Sequence, residues 1–181
     1  HDKVHPRIGV TAKWIWGIYA GMTGTLIILL VFGGMGLFDS ICHAFTTTST
    51  GGFSTKQTSI EYYHSPYIDY VISVFMFLSG VNFTLLKKFI HDAELKFYFM
   101  SVAFFTVFIA VWLYQTSSMG AEEAFRKSLF QVISLQTSTG FATADYMLWP
   151  SILWGCLLIV MIMGACAGST TGGIKCIRMV I

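Results

Sequence analysis

Charge is scarce in this sequence. Only 11% of the residues are Asp, Glu, Lys or Arg, against about 25% in an ordinary soluble domain. The 11 basic and 9 acidic residues leave a net charge of +2, and no basic tract suits a nucleic acid. Cysteine is also sparse. Cys42, Cys156, Cys166 and Cys176 include no CxxC pair, so neither a disulfide framework nor a zinc site is indicated, and small packing residues are the expected role. Paired catalytic groups are missing too. The apolar stretches hold only scattered Cys, Ser, Thr and Asn, with no Asp pair, no Ser with His and no His-rich site. No covalent chemistry and no cofactor are expected. A phosphate-binding loop is also excluded: the stretch from Gly168 lacks the Gly-Lys-Ser/Thr ending, since Gly173-Ile174-Lys175-Cys176 stands there.

What fills the space left by charge is apolar. Hydrophobic residues make up 55% of the chain and mean hydropathy is +0.67. Uncharged runs cover 14–38, 70–86, 97–121 and 146–174. A membrane-spanning helix needs roughly 20 apolar residues. Three runs reach that length outright, and the second can recruit its flank from near Ile68. Core helices of a large soluble protein are the alternative, but they rarely lack charge so consistently. The expectation is an all-α membrane protein with four spanning helices. His1 opens the sequence and Ile181 ends it without a polar tail, which suggests a piece of a longer chain.

Two uncharged stretches of another kind lie between the runs: SICHAFTTTSTGGFST at 40–55 and SLFQVISLQTSTGFAT at 128–143. Offset by 88 positions, they superimpose without gaps. Ser40 meets Ser128, Gly52 meets Gly140, Phe53 meets Phe141 and Thr55 meets Thr143. Each stretch has an apolar run before and after it. The chain thus divides into two repeats, 1–88 and 89–181, each an apolar helix, a short amphipathic segment, a Thr/Gly-rich segment and a second apolar helix.

Charge indicates how these stretches meet the membrane. If both enter and return on one side, Lys3, Arg7, Lys13, Lys87, Lys88, Lys96, Lys175 and Arg178 share a face, and only Lys56, Arg126 and Lys127 lie opposite. The positive-inside rule places the first face in the cytoplasm. A full crossing by the first stretch would move Lys87, Lys88 and Lys96 outside, so re-entry is favoured. Re-entrant backbone is tolerated only where protein buries it or a water-filled path runs beside it. Two such segments imply a pore or a substrate path.

Thr48-Ser49-Thr50-Gly51-Gly52 and Thr137-Ser138-Thr139-Gly140 suit a potassium ion. A dehydrated ion needs oxygens in place of its water shell, and backbone carbonyls turned to one side supply them. That path needs a residue free to take positive φ, hence Gly. Thr hydroxyls add further oxygens, and the aromatic after the Gly wedges the segment against its pore helix. A Ser/Thr/Gly surface turn is the plainer reading of either string alone. Register is open in the first: matching Thr-Ser-Thr-Gly aligns Gly51 with Gly140, whereas the gapless repeat aligns Gly52.

LFDSICHAFTTTSTGGFST (37–55), FMFLSGVNF (75–83), LFQVISLQTSTGFATADYMLWP (129–150) and GACAGSTTGGIKCIR (164–178) resemble the Trk/Ktr/HKT superfamily of potassium and sodium transport proteins, and most of all its bacterial Trk membrane subunits. The resemblance covers essentially the whole chain. It implies four helix–pore loop–helix repeats around one central pore in a potassium-channel-like architecture, of which these are similar to the second and third. It also implies K+ as the transported ion, a multi-pass protein of the cell (inner) membrane, a homodimer of full-length chains and a cytosolic nucleotide-binding regulatory subunit. A sodium-conducting relative is the rival within the superfamily, and the filter of the first repeat would discriminate. A non-conducting assembly subunit is a further alternative.

The last apolar run holds Gly164, Ala165, Cys166, Ala167, Gly168, Ser169, Thr170, Thr171, Gly172 and Gly173 before Lys175. Glycines at 164, 168 and 172 would line one face of a helix for close packing. Alternatively the run is unwound, because helix propensity here is poor. The resemblance implies the unwound form, a gate loop beneath the filter, with Lys175 at its cytoplasmic end or acting as an interfacial anchor. His43 and Asn82 lie at membrane depth and are candidates by position, although ties between helices are the favoured role. Asp39, Glu61, Glu122, Glu123 and Asp145 fall on the outer face, where they attract cations or are simply solvated.

Overall fold

The computed structural model describes residues 8–81, 93–117, 119–174 and 176. Asn82, Lys175 and the basic residues Lys3, Arg7, Lys87, Lys88 and Arg178 fall outside the described residues. Among the described residues six α-helices follow one another: α1 (Ile8–Phe32), α2 (Leu37–Thr48), α3 (Pro66–Ser79), α4 (Ala93–Thr116), α5 (Ala121–Gln136) and α6 (Ser151–Ile162). Short 3-10 turns occupy Ser59–Tyr63 and Tyr146–Leu148. No strand forms among the described residues; one isolated bridge joins Met163 to Ile174. The expected all-helical class therefore holds.

The boundaries follow from local chemistry. Helix α1 ends at Gly33-Gly34, where Gly34 has φ +89°. A side chain at Gly33 would meet the Tyr67 ring at 2.9 Å, so α1 and α3 can approach only because Gly stands there. Pro66 opens α3 at a helical position that needs no N–H partner. Pro150 stands one position earlier relative to α6, as its N-cap residue.

Helices α1, from Ala12, and α4, from Glu94, are long and apolar enough to cross a membrane. At 1.5 Å per residue, α4 reaches about 36 Å. The other two apolar runs fold differently from the expected full-length spans. Helix α3 has 14 described residues and α6 has 12. Helix α6 stops because the run unwinds at Met163, where the backbone turns extended.

Several helices bury polar side chains beside the apolar core and expose large apolar ones, which is unusual in a soluble domain. Ser101 and Thr106 of α4 are buried while Phe104, Val107 and Val111 are exposed. Helix α2 buries Ser40, His43, Thr47 and Thr48 and exposes Phe38 and Phe45. Helix α4 packs along α5 and α1 along α2, while α3 touches α1, α2 and α5. The loops after α2 and α5 therefore meet near the centre of the described structure.

Candidate functional site: two glycine turns and the loop against them

Helices α2 and α5 end in the same hydrogen-bond pattern, 88 residues apart. The Thr50 amide donates to the Thr47 carbonyl and the Gly51 amide to the Thr46 carbonyl. At the second site Ser138 donates to Leu135 and Thr139 to Ser134. This is a Schellman C-cap, whose left-handed position is usually Gly. Here Thr50 (φ +53°) and Ser138 (φ +56°) occupy it, a conformation that costs about 1–2 kcal/mol for a side chain with a Cβ.

Both segments go beyond a simple cap. The next amide, of Gly52 or Gly140, turns back to the same Thr46 or Ser134 carbonyl. Gly52 (φ +68°) and Gly140 (φ +85°) provide a second left-handed residue. The Thr46 hydroxyl then donates to the Phe53 carbonyl at 2.9 Å, and the Ser134 hydroxyl to the Phe141 carbonyl at 2.7 Å. The positive φ falls on Gly52, not Gly51, so the backbone takes the gapless register.

This pattern orients the carbonyls. All the described peptide bonds are trans, and in a trans peptide the C=O points opposite to the N–H. The amides of Gly51 and Gly52 both point at the end of α2, so the carbonyls of Thr50 and Gly51 point away from it. By the same reasoning, the carbonyls of Ser138 and Thr139 point away from α5. The two segments also touch: a Cβ on Gly52 would run into the Thr139 carbonyl oxygen, whereas the space around Gly140 is open.

The remaining candidates fall around this pair. The hydroxyls of Thr47, Thr48 and Thr137 donate to carbonyls one turn back at 2.6–2.8 Å, which leaves their lone pairs as acceptors. Thr137 and Thr139 pair their hydroxyls at 2.8 Å. The aromatic wedge forms at only one of the two positions. Phe141 is fully buried against the His43 ring, but Phe53 is 78% exposed. Phe141 finds His43 across the contact between segments, and Phe53 has no equivalent. His43 itself is a tie: one ring nitrogen meets the Asp39 carbonyl at 2.7 Å and the other the Ser54 hydroxyl at 2.9 Å. Beyond the second segment, the Ala142 carbonyl accepts from the amides of Ile60 and Glu61, which fastens the Ser59–Tyr63 turn to that segment.

Residues 163–174 are non-helical, so the glycines at 164, 168 and 172 do not line a helix face. The segment closes on itself at a neck. Gly164 donates to the Ile174 carbonyl, Ile174 to Ile162, and Cys176 to Ala165. A Cβ at Gly164 would lie 2.5 Å from the Gly172 carbonyl oxygen, so the neck requires glycine. Gly168 (φ +79°) and Gly173 (φ +76°) complete the turns. The loop lies against both Gly-turn segments. Thr50 donates its hydroxyl to the Thr170 carbonyl at 3.2 Å, and a Cβ on Gly172 would sit 3.2 Å from the Ser138 hydroxyl. Within the loop, Ser169 and Thr171 pair their hydroxyls at 2.7 Å.

Most of the acids expected on the outer face have partners. Asp39 accepts from the hydroxyls of Thr55 and Tyr63 and pairs with Lys56 at 3.2 Å. Glu123 pairs with Lys127, and Asp145 caps its own 3-10 turn. Sequence reasoning missed one pair altogether: Asp69 of α3 and Arg126 of α5, both largely buried, form an ion pair, and the Arg126 Nε also reaches Glu122 at 3.0 Å. The available signal was an acid in the first turn of an apolar helix, set against an arginine in the next amphipathic one. Pairing is expected of charges buried at such positions.

Known proteins share this fold. The crystal structure of the potassium transporter TrkH from Vibrio parahaemolyticus matches with a TM-score of 0.91 at 34% identity, covering 99% of this chain and 41% of that one. The Trk system potassium uptake protein TrkH of Escherichia coli (strain K12) is 39% identical over 99% of this chain and 39% of its own length. The protein of the same name in Halomonas elongata is 36% identical over the same shares. The family model TrkH, cation transport protein, matches residues 1–110 and 95–181. The class is thus a helical membrane transport protein. The chain belongs to the TrkH family of cation transport proteins, and it spans about two-fifths of the length of the curated relatives it matches.

Proposed function

We propose that this chain supplies two pore repeats, 1–88 and 89–181, of a potassium uptake channel in the cell membrane. Helices α1, α3, α4 and α6 carry the spans, and α2 and α5 are re-entrant pore helices. The observation that carries the reading is the carbonyl set of Thr50, Gly51, Ser138 and Thr139. Each pair is turned away from its own helix by the same hydrogen bonds, and left-handed residues provide the turn. Carbonyl oxygens so presented replace the hydration shell of a potassium ion. Thr48, Ser49, Gly52, Thr137 and Gly140 complete the two segments. The loop 164–174 is the gate: it rests on Thr50 and Ser138, so it stands at one end of both carbonyl pairs. The proposal includes a homodimer of full-length chains and a cytosolic nucleotide-binding regulator, both carried by the family resemblance.

Rubidium uptake by the full-length protein in lipid vesicles tests this reading. Uptake competed by potassium but not by sodium is the expected result; equal competition by sodium would favour the sodium-conducting alternative. In the same assay, deletion of 168–172 removes the hold on Thr50 and should raise uptake severalfold. Unchanged or lower uptake by a well-folded deletion would count against the gate.

A further inference from the structure

Besides a long contact of the Thr170 hydroxyl with the Ser79 carbonyl at 3.5 Å, shorter bonds tie the loop 163–174 to the helices beside it, among them these two. One is backbone to backbone: the Cys166 amide donates to the Gly80 carbonyl at 3.1 Å, just beyond α3. The other uses a side chain: the Ala167 amide donates to a carboxyl oxygen of Glu94 at 2.5 Å. Glu94 lies in the first turn of α4 and is only 3% exposed. An acid in a helix's first turn is favourable for the helix dipole, but that role is met equally well with the side chain in water. Burial of a carboxyl group is costly unless its oxygens find donors. The contact with the loop supplies one such donor to the buried carboxyl.

Glu94 does not act on an isolated spot. Positions 94, 98 and 101 share one face of α4. Tyr98 stacks on Phe77 with centroids 4.7 Å apart, and a Cβ on Gly80 would meet its hydroxyl at 2.5 Å. Ser101 accepts a hydrogen bond at 2.6 Å from Gln136, the last residue of α5. A single stripe of α4 therefore touches the loop, the end of α3 and the end of the second pore helix. We propose that Glu94 is a positioning residue that latches the 163–174 loop against the two Gly-turn segments through the Ala167 amide. The latch rests on the reading of that loop as the gate. Loss of the bond releases the Ala167 corner of the loop, which stays held at Cys166–Gly80 and Thr170–Thr50, while α4 and α5 stay joined through Ser101.

The test uses the full-length protein in vesicles, with rubidium uptake and hydrogen exchange of the peptide containing Ala167 measured together. Glu94→Ala removes the acceptor. It should raise uptake roughly tenfold, equivalent to about 1.4 kcal/mol, and speed exchange at that peptide. Glu94→Asp keeps the acid but withdraws its oxygens by one methylene, and should behave like Ala. Glu94→Gln keeps an oxygen at the same reach and should remain near wild type in both readouts. A role confined to folding would not produce rescue by Gln alongside failure of Asp. Wild-type uptake and exchange in both Ala and Asp variants would overturn the latch, as would equal effects of Gln and Ala. If deletion of 168–172 raises uptake while Glu94→Ala does not, the latch is wrong and the gate stands. If neither raises it, the gate reading fails with it. Should the Ala variant not fold, the contrast of Asp with Gln decides alone.

Discussion

Gly52→Ala should reduce rubidium uptake by at least about tenfold and erase the preference for potassium over sodium, with tenfold corresponding to about 1.4 kcal/mol. Two costs combine at this position. A left-handed alanine costs about 1–2 kcal/mol. In addition, the new methyl would run into the Thr139 carbonyl oxygen, which belongs to the main chain and cannot rotate aside. Relief requires the two segments to separate, and their carbonyls move with them. The neighbouring glycines make the prediction sharp. Gly140→Ala carries the conformational cost at φ +85° but meets open space, so its effect should be smaller. Gly51 does not adopt positive φ, and its nearest contact for a methyl is the Ser49 hydroxyl at 3.3 Å, the end of a small side chain. Gly51→Ala should therefore keep most of its uptake and selectivity. An order in which Gly51→Ala is the most damaging of the three would reject the gapless register. Normal selectivity in a well-folded Gly52→Ala protein would reject the role of the contact.

Arg126→Ala should lower stability by about 3–5 kcal/mol, the usual loss when one partner of a buried ion pair is removed. Arg126 uses its guanidinium fork on two acids, Asp69 of α3 and Glu122 of its own helix. Its side chain is 13% exposed and that of Asp69 6%, so truncation strands the buried Asp69 carboxylate without the cation that pairs with it. Lys cannot span both acids with a point charge, and Arg126→Lys should recover only part of the loss. The double variant Asp69→Leu with Arg126→Leu removes both charges together and should come within about 1 kcal/mol of wild type, because apolar replacements of buried pairs are often neutral. Lys127→Ala is the control: its partner Glu123 is exposed and four residues earlier on the same helix, a pair worth about 0.5 kcal/mol. Thermal unfolding in detergent measures all four. Equal, small shifts for Arg126→Ala and Lys127→Ala would show that the pair does not tie α5 to α3.

Much of this was legible in the residues before any coordinates. Charge-free runs predicted helices, and α1 and α4 formed at spanning length because nothing interrupts them. The offset of 88 was visible as matched letters and reappears as matched hydrogen bonds, since Thr46 and Ser134 both place a hydroxyl one turn before the cap. Three things were not legible. The choice between Gly51 and Gly52 depends on which amide follows the left-handed cap residue, and Thr50, a poor candidate for positive φ, takes that place. Phe53 and Phe141 read alike in sequence, yet only Phe141 has His43 across the contact. The ties made by Asp69, Arg126 and Glu94 depend on which helices become neighbours, information that no local pattern carries. The short helix of the last run was anticipated in kind but not in extent, because the Gly164 neck is set by contact with Gly172 and Gly173 rather than by propensity.

The most direct test of the central claim is a crystal structure of the full-length protein soaked in thallium or rubidium, read by anomalous density. The account predicts ion density within coordination distance of the carbonyl oxygens of Thr50, Gly51, Ser138 and Thr139, displaced by potassium and not by sodium. Density elsewhere in the membrane-embedded region, with those four carbonyls bonded to protein instead, would contradict it.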